Sequence, residues 1–328
     1  MNRPRIWIAG GLLLIVIAVI LVNKFALQPG AEKRKTESAL SFPGFNSDQV
    51  KRIEISREER KDVLIKNDNN WAVENEGNFP ADPEGVQKLL EAAQKLTCNQ
   101  EVSSSEKELS RFDLTKDQAL EVKMIGGQET LANLYVGKRG TSYTSSYFRK
   151  ADENKICLTY QNLTSVFDRT NDSWKDKSIF SFTAEDCKAL QIQDGATSYF
   201  LEKDLKNSKW ELVIGKARKP ATAWAVDGIC QTLSKLKTQA FPSGPFAETG
   251  LLQSKKSISI DLVGGKSFTL LIGAKLKDKS DYYVQRKDKD ILYQLSEWQV
   301  TGLFKSQNEL LEKEIESGPP ENPPPPSP

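Results

Sequence analysis

The chain repeats itself, and that repetition limits its fold more than any other feature. Residues 50–73 read VKRIEISREERKDVLIKNDNNWAV, and residues 187–213 read CKALQIQDGATSYFLEKDLKNSKWELV. Both alternate apolar and polar positions, pass through a polar turn and reach a tryptophan, Trp71 in one copy and Trp210 in the other. Alternation of period two marks half-buried strands. Pro80-Ala81-Asp82 and Pro220-Ala221-Thr222 follow, each ahead of a helical pattern. Val86, Leu89, Leu90, Ala93 and Leu96 recur at the same spacing as Val226, Ile229, Cys230, Leu233 and Leu236. That spacing is one apolar face of an amphipathic helix. Asp82 and Thr222 stand where an N-cap is wanted, and Pro83 suits a first helical turn.

The parallel continues through ALEVKMIGGQETLANLYVG (119–137) and SISIDLVGGKSFTLLIG (257–273), each two strands around Gly-Gly. Such a dipeptide supplies the positive φ of a tight hairpin. Tyr147-Phe148 and Tyr283-Val284 open a further strand, and ICLTY (156–160) parallels ILYQL (291–295). Leu163, Val166 and Phe167 match Val300, Leu303 and Phe304 in a closing helix. Each copy therefore reads as an α+β unit, a mainly antiparallel sheet with one amphipathic helix over a face. The two tandem units are assigned to residues 47–185 and 186–310.

Ahead of them, residues 6–22 (IWIAGGLLLIVIAVILV) form an uncharged run of 17 residues. At the helical rise this spans about 25 Å, within the range of a transmembrane helix. Trp7 and Phe25 can anchor its ends. A cleaved signal peptide with Arg3 and Arg5 as its basic region is the rival reading. The run is long for that role, and VNKFALQPGAEKRK after it offers no small-x-small cleavage site. The chain thus divides into a stub (1–5), a single transmembrane helix (6–22) contacting the lipid bilayer, a linker (23–46), the two units and a Pro-rich tail (311–328). That tail is expected to be extended.

Composition narrows the function. With 46 basic and 44 acidic residues and a net charge of +2, nucleic acid is not the expected partner. Histidine is absent, which removes Ser-His-Asp and Cys-His chemistry and imidazole metal ligation. Cys98, Cys157, Cys187 and Cys230 allow three full pairings and lack metal spacing. Cys230 aligns with Leu90, Cys187 with Val50 and Cys157 with Leu292, apolar positions that suit buried thiols. Cys98 aligns with a polar position and stands apart.

The remaining motifs read as structure. Trp71 and Trp210 are expected in the core. GGKS (264–267) resembles part of a phosphate loop, but Ile260 stands where that loop needs glycine. Ser103-Ser104-Ser105 with Glu106 reads as a helix start with a capping role. No catalytic, cofactor-binding or metal residue is assigned, and no cofactor is expected.

Taken in order, the Trp, Pro-Ala-Asp, amphipathic helix, Gly-Gly hairpin and Leu-Tyr-Val-Gly strand resemble the bacterial domain-of-unknown-function family 4340, from about residue 47 to residue 305. The second copy departs from the pattern with Pro220-Ala221-Thr222. The resemblance implies an N-terminal membrane helix in the bacterial inner membrane. It also implies an accessory envelope role beside ABC-transporter subunits of the gliding-motility-associated type. The resulting expectation is a single-pass, non-enzymatic protein with its soluble region periplasmic or extracellular, binding a protein or glycan partner. A carboxylate-dependent hydrolase or carbohydrate-active domain, and a structural spacer, are the alternatives.

Overall fold

The computed structural model describes residues 41–204 and 206–312. The expected membrane span at 6–22 and the tail beyond residue 312 lie outside the described residues. Among the described residues no helix is long and apolar enough to cross a membrane. The described chain forms two compact units, residues 41–78 with 83–169, and residues 79–82 with 170–312.

In the first unit, the strands are β1 (Arg52–Arg57), β2 (Arg60–Asn67), β3 (Asn70–Val73), β5 (Gln100–Ser103), β6 (Leu120–Gly126), β7 (Glu129–Arg139), β8 (Ser146–Lys150) and β9 (Ile156–Thr159). Strand β4, Phe79–Pro80, groups with the second unit. The first sheet runs β3-β2-β1-β6-β7-β8-β9-β5, and its pairings are antiparallel. Burial alternates as the sequence pattern requires. Ile53 and Ile55 of β1 and Val122 and Met124 of β6 are fully buried, with less buried neighbours between them. Helix Pro83–Gln94 buries Val86, Leu89 and Ala93 and packs against β3, the turn Ser47–Gln49 and helix Leu163–Phe167. Each large aliphatic side chain so buried contributes about 1.5–3 kcal/mol.

The second unit repeats this plan with β10 (Cys187–Asp194), β11 (Thr197–Asp204), β12 (Lys209–Ile214), β13 (Ala217–Pro220), β14 (Lys256–Leu262), β15 (Ser267–Lys275), β16 (Tyr282–Arg286) and β17 (Leu292–Leu295). Its sheet order is β13-β12-β11-β10-β14-β15-β16-β17, again antiparallel. Helix Ala223–Ser234 has the same length as helix Pro83–Gln94, and the closing helix is Glu297–Leu303. The Gly-Gly hairpins join β6 to β7 and β14 to β15. Gly127, Gly264 and Gly265 take φ of +64°, +91° and +84° there. GGKS is such a hairpin and precedes a strand.

Several expectations are corrected. Phe148 pairs with Cys157, and Val284 with Tyr293, so the counterpart of Cys157 is Tyr293 rather than Leu292. Cys157 is also not a simple buried thiol, because it is disulfide-bonded to Cys98. In the second unit Thr238 fastens the corresponding segment. Its hydroxyl lies 2.6 Å from Ala240 O and 3.0 Å from Gln294 O, and it accepts from Gln294 N at 2.9 Å. Cys187 and Cys230 are free and buried, as apolar positions require. Trp210 is buried, but Trp71 is only half-buried. Thr222 holds the N-cap position without capping through its side chain, which donates to Leu311 O at 2.9 Å. Ser105 likewise sits at the N-cap of the turn Glu106–Phe112 with no side-chain cap bond.

Candidate functional site

Duplication provides an internal control. Where the two copies share backbone but differ in side chains, the fold does not dictate the difference. Two places stand out.

One is the distal end of the first hairpin in each sheet. In the first unit Arg57 ends β1 and Arg60 starts β2, with Glu58 in the turn at φ +52°. Asp168, just past helix Leu163–Phe167, accepts from Arg57 at 2.7 Å and from Arg60 at 2.6 Å. Beneath them Asp62 is fully buried, with Arg60 Nε 3.4 Å away. Neither Asp62 oxygen has a hydrogen-bond partner among the described residues. Burial pushes the Asp62 carboxyl above the usual carboxylate range. Arg60 opposes that shift, while Glu76 and Asp168 add to it. Two arginines saturate Asp168 with charge-assisted bonds, so this cluster is a set of mutually neutralising groups.

The second unit puts Tyr199 at the Asp62 position, since Asp62 pairs with Ile55 as Tyr199 pairs with Ile192. Its hydroxyl donates to Lys305 O, and burial pushes its pKa up to about 12. A groove of about 590 Å³ opens beside it, lined by Asp194, Thr197, Tyr199, Phe304, Lys305 and Glu309. Asp194 is paired with Lys256 at 2.8 Å and Lys305 with Glu309 at 3.8 Å, so its charges are also matched internally.

The Asp62 environment gives a pH prediction. Its folded pKa lies above its unfolded value, so between the two the folded chain binds more protons than the unfolded chain. Stability therefore falls as pH rises through that interval, and the penalty stays in full above it. Asp62→Asn is expected to remove this part of the slope and to stabilise by about 1 kcal/mol near pH 7. Urea unfolding of both forms from about pH 4 to about pH 7 reads it directly. An unchanged slope would refute the assignment.

The other place is the outer face of the long helix. In the first unit this face carries Glu84, Lys88, Glu91 and Lys95, all solvated. Gln87 donates to Glu91 at 2.9 Å and Lys95 pairs with it at 3.3 Å. These contacts hold the Glu91 carboxyl below its usual range. Such i, i+4 pairing is what a free helix surface ordinarily displays. In the second unit the corresponding residues are Trp224, Gly228, Gln231 and Lys235. Trp224 is 76% exposed, and Trp298, on the neighbouring helix Glu297–Leu303, is 72% exposed. Between the helices lies a groove of about 550 Å³ lined by Gly228, Gln231, Thr232, Lys235, Lys237 and Trp298. Its far wall is held in place by Gln299, which completes a capping box with Ser296 and donates to Lys237 O at 3.2 Å. This arrangement suits binding, because an indole face, amide and hydroxyl groups and two ammonium groups converge on an open concavity.

None of the motifs singled out in the sequence falls in this groove. Trp210 belongs to the core, where its indole N–H donates to Asp227 at 2.8 Å. Trp224 was legible in principle, because it falls off the apolar face defined by Val226, Ile229 and Leu233. Trp298 had a weaker signal, since its helix of seven residues is too short to define a face by repeated periods. Among the described residues no group of His, Cys, Asp and Glu could hold a metal ion.

Compared with known proteins, residues 71–241 match the family described as Domain of unknown function (DUF4340). No curated protein and no solved structure matches the chain.

Proposed function

The chain belongs to the DUF4340 family, and on that footing we propose that it is a non-enzymatic envelope protein, anchored in a bacterial inner membrane, that binds a partner through its second unit. The observation carrying this reading is the pair of exposed indoles, Trp224 and Trp298, on a unit whose twin shows a charged, self-paired helix face instead. Large aromatic side chains left in water with no packing role are the usual anchors of an interface. The apolar run 6–22 supports an uncleaved anchor. The Cys98–Cys157 bond supports a soluble region outside the cytoplasm, because structural disulfides persist in oxidising compartments.

The specific form proposed is an accessory component of an ABC-transporter complex, whose subunits the anchor holds in the same membrane plane. Crosslinked native membranes, solubilised mildly and analysed by mass spectrometry, test it. Transporter subunits should be enriched over a control bearing residues 1–46 alone, and the enrichment should drop in Trp224→Ala, whose indole is exposed outside the lining of the groove. Recovery of the protein as a lone species would defeat the transporter form. Topology has its own test: a periplasm-dependent phosphatase fused to the C-terminus should be active, and an inactive fusion would place the soluble region inside.

A further inference from the structure

The groove between helices Ala223–Ser234 and Glu297–Leu303 can be read more closely than as a generic interface. Gly228 sits mid-helix on the exposed face of Ala223–Ser234, where glycine is disfavoured relative to alanine. A Cβ added there would meet nothing within 4 Å, so packing does not demand the glycine. Its effect is to lower the groove floor beside Trp298. Thr232 donates its hydroxyl proton to Gly228 O at 2.8 Å and so faces the groove as an acceptor, while Gln231 offers an exposed amide. Lys235 and Lys237 line the groove with no carboxylate beside them in its lining, and among the described residues neither joins an ion pair. In the first unit Glu91 occupies the place of Gln231 and would cancel such a charge.

The surroundings of Trp298 decide between kinds of partner. A protein hot spot sets its aromatic anchor within a desolvated apolar surround. Here Leu236, itself buried, is the one aliphatic residue of the lining, and the other neighbours are glycine, amide, hydroxyl and ammonium groups. A saccharide fits that mixture, since the C–H face of a sugar ring stacks on an indole while its hydroxyls meet amides and hydroxyls. The two lysines add a preference for negative charge. We infer that this groove binds an acidic saccharide, with Trp298 as the stacking platform, Gln231 and Thr232 meeting ring hydroxyls, and Lys235 and Lys237 holding the anionic group. The inference rests on the reading of this face as the partner-binding surface, and names the chemistry of what it binds.

Calorimetric titration of the full chain in detergent micelles tests it, using an oligomer of glucuronic acid and a neutral glucose oligomer of equal length. The acidic oligomer should bind, and more tightly than the neutral one by about tenfold or more. Trp298→Ala should weaken binding by about tenfold. Lys235→Ala with Lys237→Ala should abolish the preference for the acidic oligomer, and Gly228→Gln should weaken both oligomers by filling the floor. Glu84→Ala, on the first unit, should change nothing. The altered side chains are exposed, and an unchanged melting temperature verifies that each variant is folded. No binding of the acidic oligomer, or binding indifferent to Trp298→Ala and Gly228→Gln, overturns the inference. Membrane crosslinking that depends on Trp224 while the acidic oligomer fails to bind would overturn the saccharide assignment alone, leaving the partner-binding reading in place.

Discussion

Replacing Cys98 and Cys157 by alanine is expected to lower the stability of the first unit by about 4 kcal/mol, the value chain entropy gives for a crosslink of this span. The two residues are separated by 59 positions, so the bond removes a large ensemble of open conformations from the unfolded chain. It joins the segment after helix Pro83–Gln94 to β9, next to edge strand β5, which has no counterpart in the second sheet. The second unit achieves the same closure with Thr238 and its bonds to Gln294 and Ala240. Cys98→Thr in the Cys157→Ala background should therefore recover about 1 kcal/mol, the net worth of such bonds. Chemical unfolding of the three forms under non-reducing conditions measures both steps. A loss under about 1 kcal/mol for the double alanine variant would show that the bond does not constrain the unfolded chain. The wild-type chain with its disulfide reduced should unfold with the alanine form, which ties stability to the compartment that the soluble region occupies.

That bond also shows where sequence reading runs out. The duplication, the two antiparallel sheets, the long helices and the Gly-Gly hairpins were legible because each is encoded by local periodicity or by a backbone demand that only certain residues meet. The disulfide was not, for it depends on a pairing of distant segments. Even the correct counterpart of Cys157, Tyr293, is a buried core residue, so the repeat alone does not reveal a bond to Cys98. Asp62 was hidden for a different reason. Asp62, Val63 and Leu64 are buried in succession, which breaks the period of two and puts a carboxylate where alternation leads the reader to expect solvent. The candidate groove lies between these cases. Trp224 departs visibly from the apolar helix face, but its meaning comes from Glu84 in the other copy and from the exposed Trp298 on the neighbouring helix, a contrast that needs the fold.

The second large effect concerns a glycine that both copies retain at the end of their Leu-Tyr-Val-Gly and Leu-Leu-Ile-Gly strands. Gly137→Ala is expected to destabilise the first unit by about 3 kcal/mol or more, in the upper part of the range for single substitutions. A Cβ at Gly137 would lie 2.1 Å from Phe112 O and 2.9 Å from Leu114 Cγ. At Gly273 the same atom would lie 2.2 Å from Thr249 O and 3.1 Å from Leu251 Cγ. In each unit the cause is a short turn whose last carbonyl presses on the strand. Glu106–Phe112 ends in Asp113 at φ +55°, and Phe246–Thr249 ends in Gly250 at φ +69°. The register of β7 against β8 shifts between Val136 and Arg139, and that of β15 against β16 between Ile272 and Lys275, so the glycine sits inside a bulge in both sheets. Because the obstacle is backbone oxygen, no rotamer change relieves it. Gly228→Ala is the matched control: with open space around it in a helix, it should stabilise by up to about 1 kcal/mol. Thermal or urea unfolding of the three proteins separates the cases. Equal tolerance of alanine at Gly137 and Gly228 would mean that the turn moves off the strand at little cost, and that the glycine shared by the copies answers to something other than the turn carbonyl.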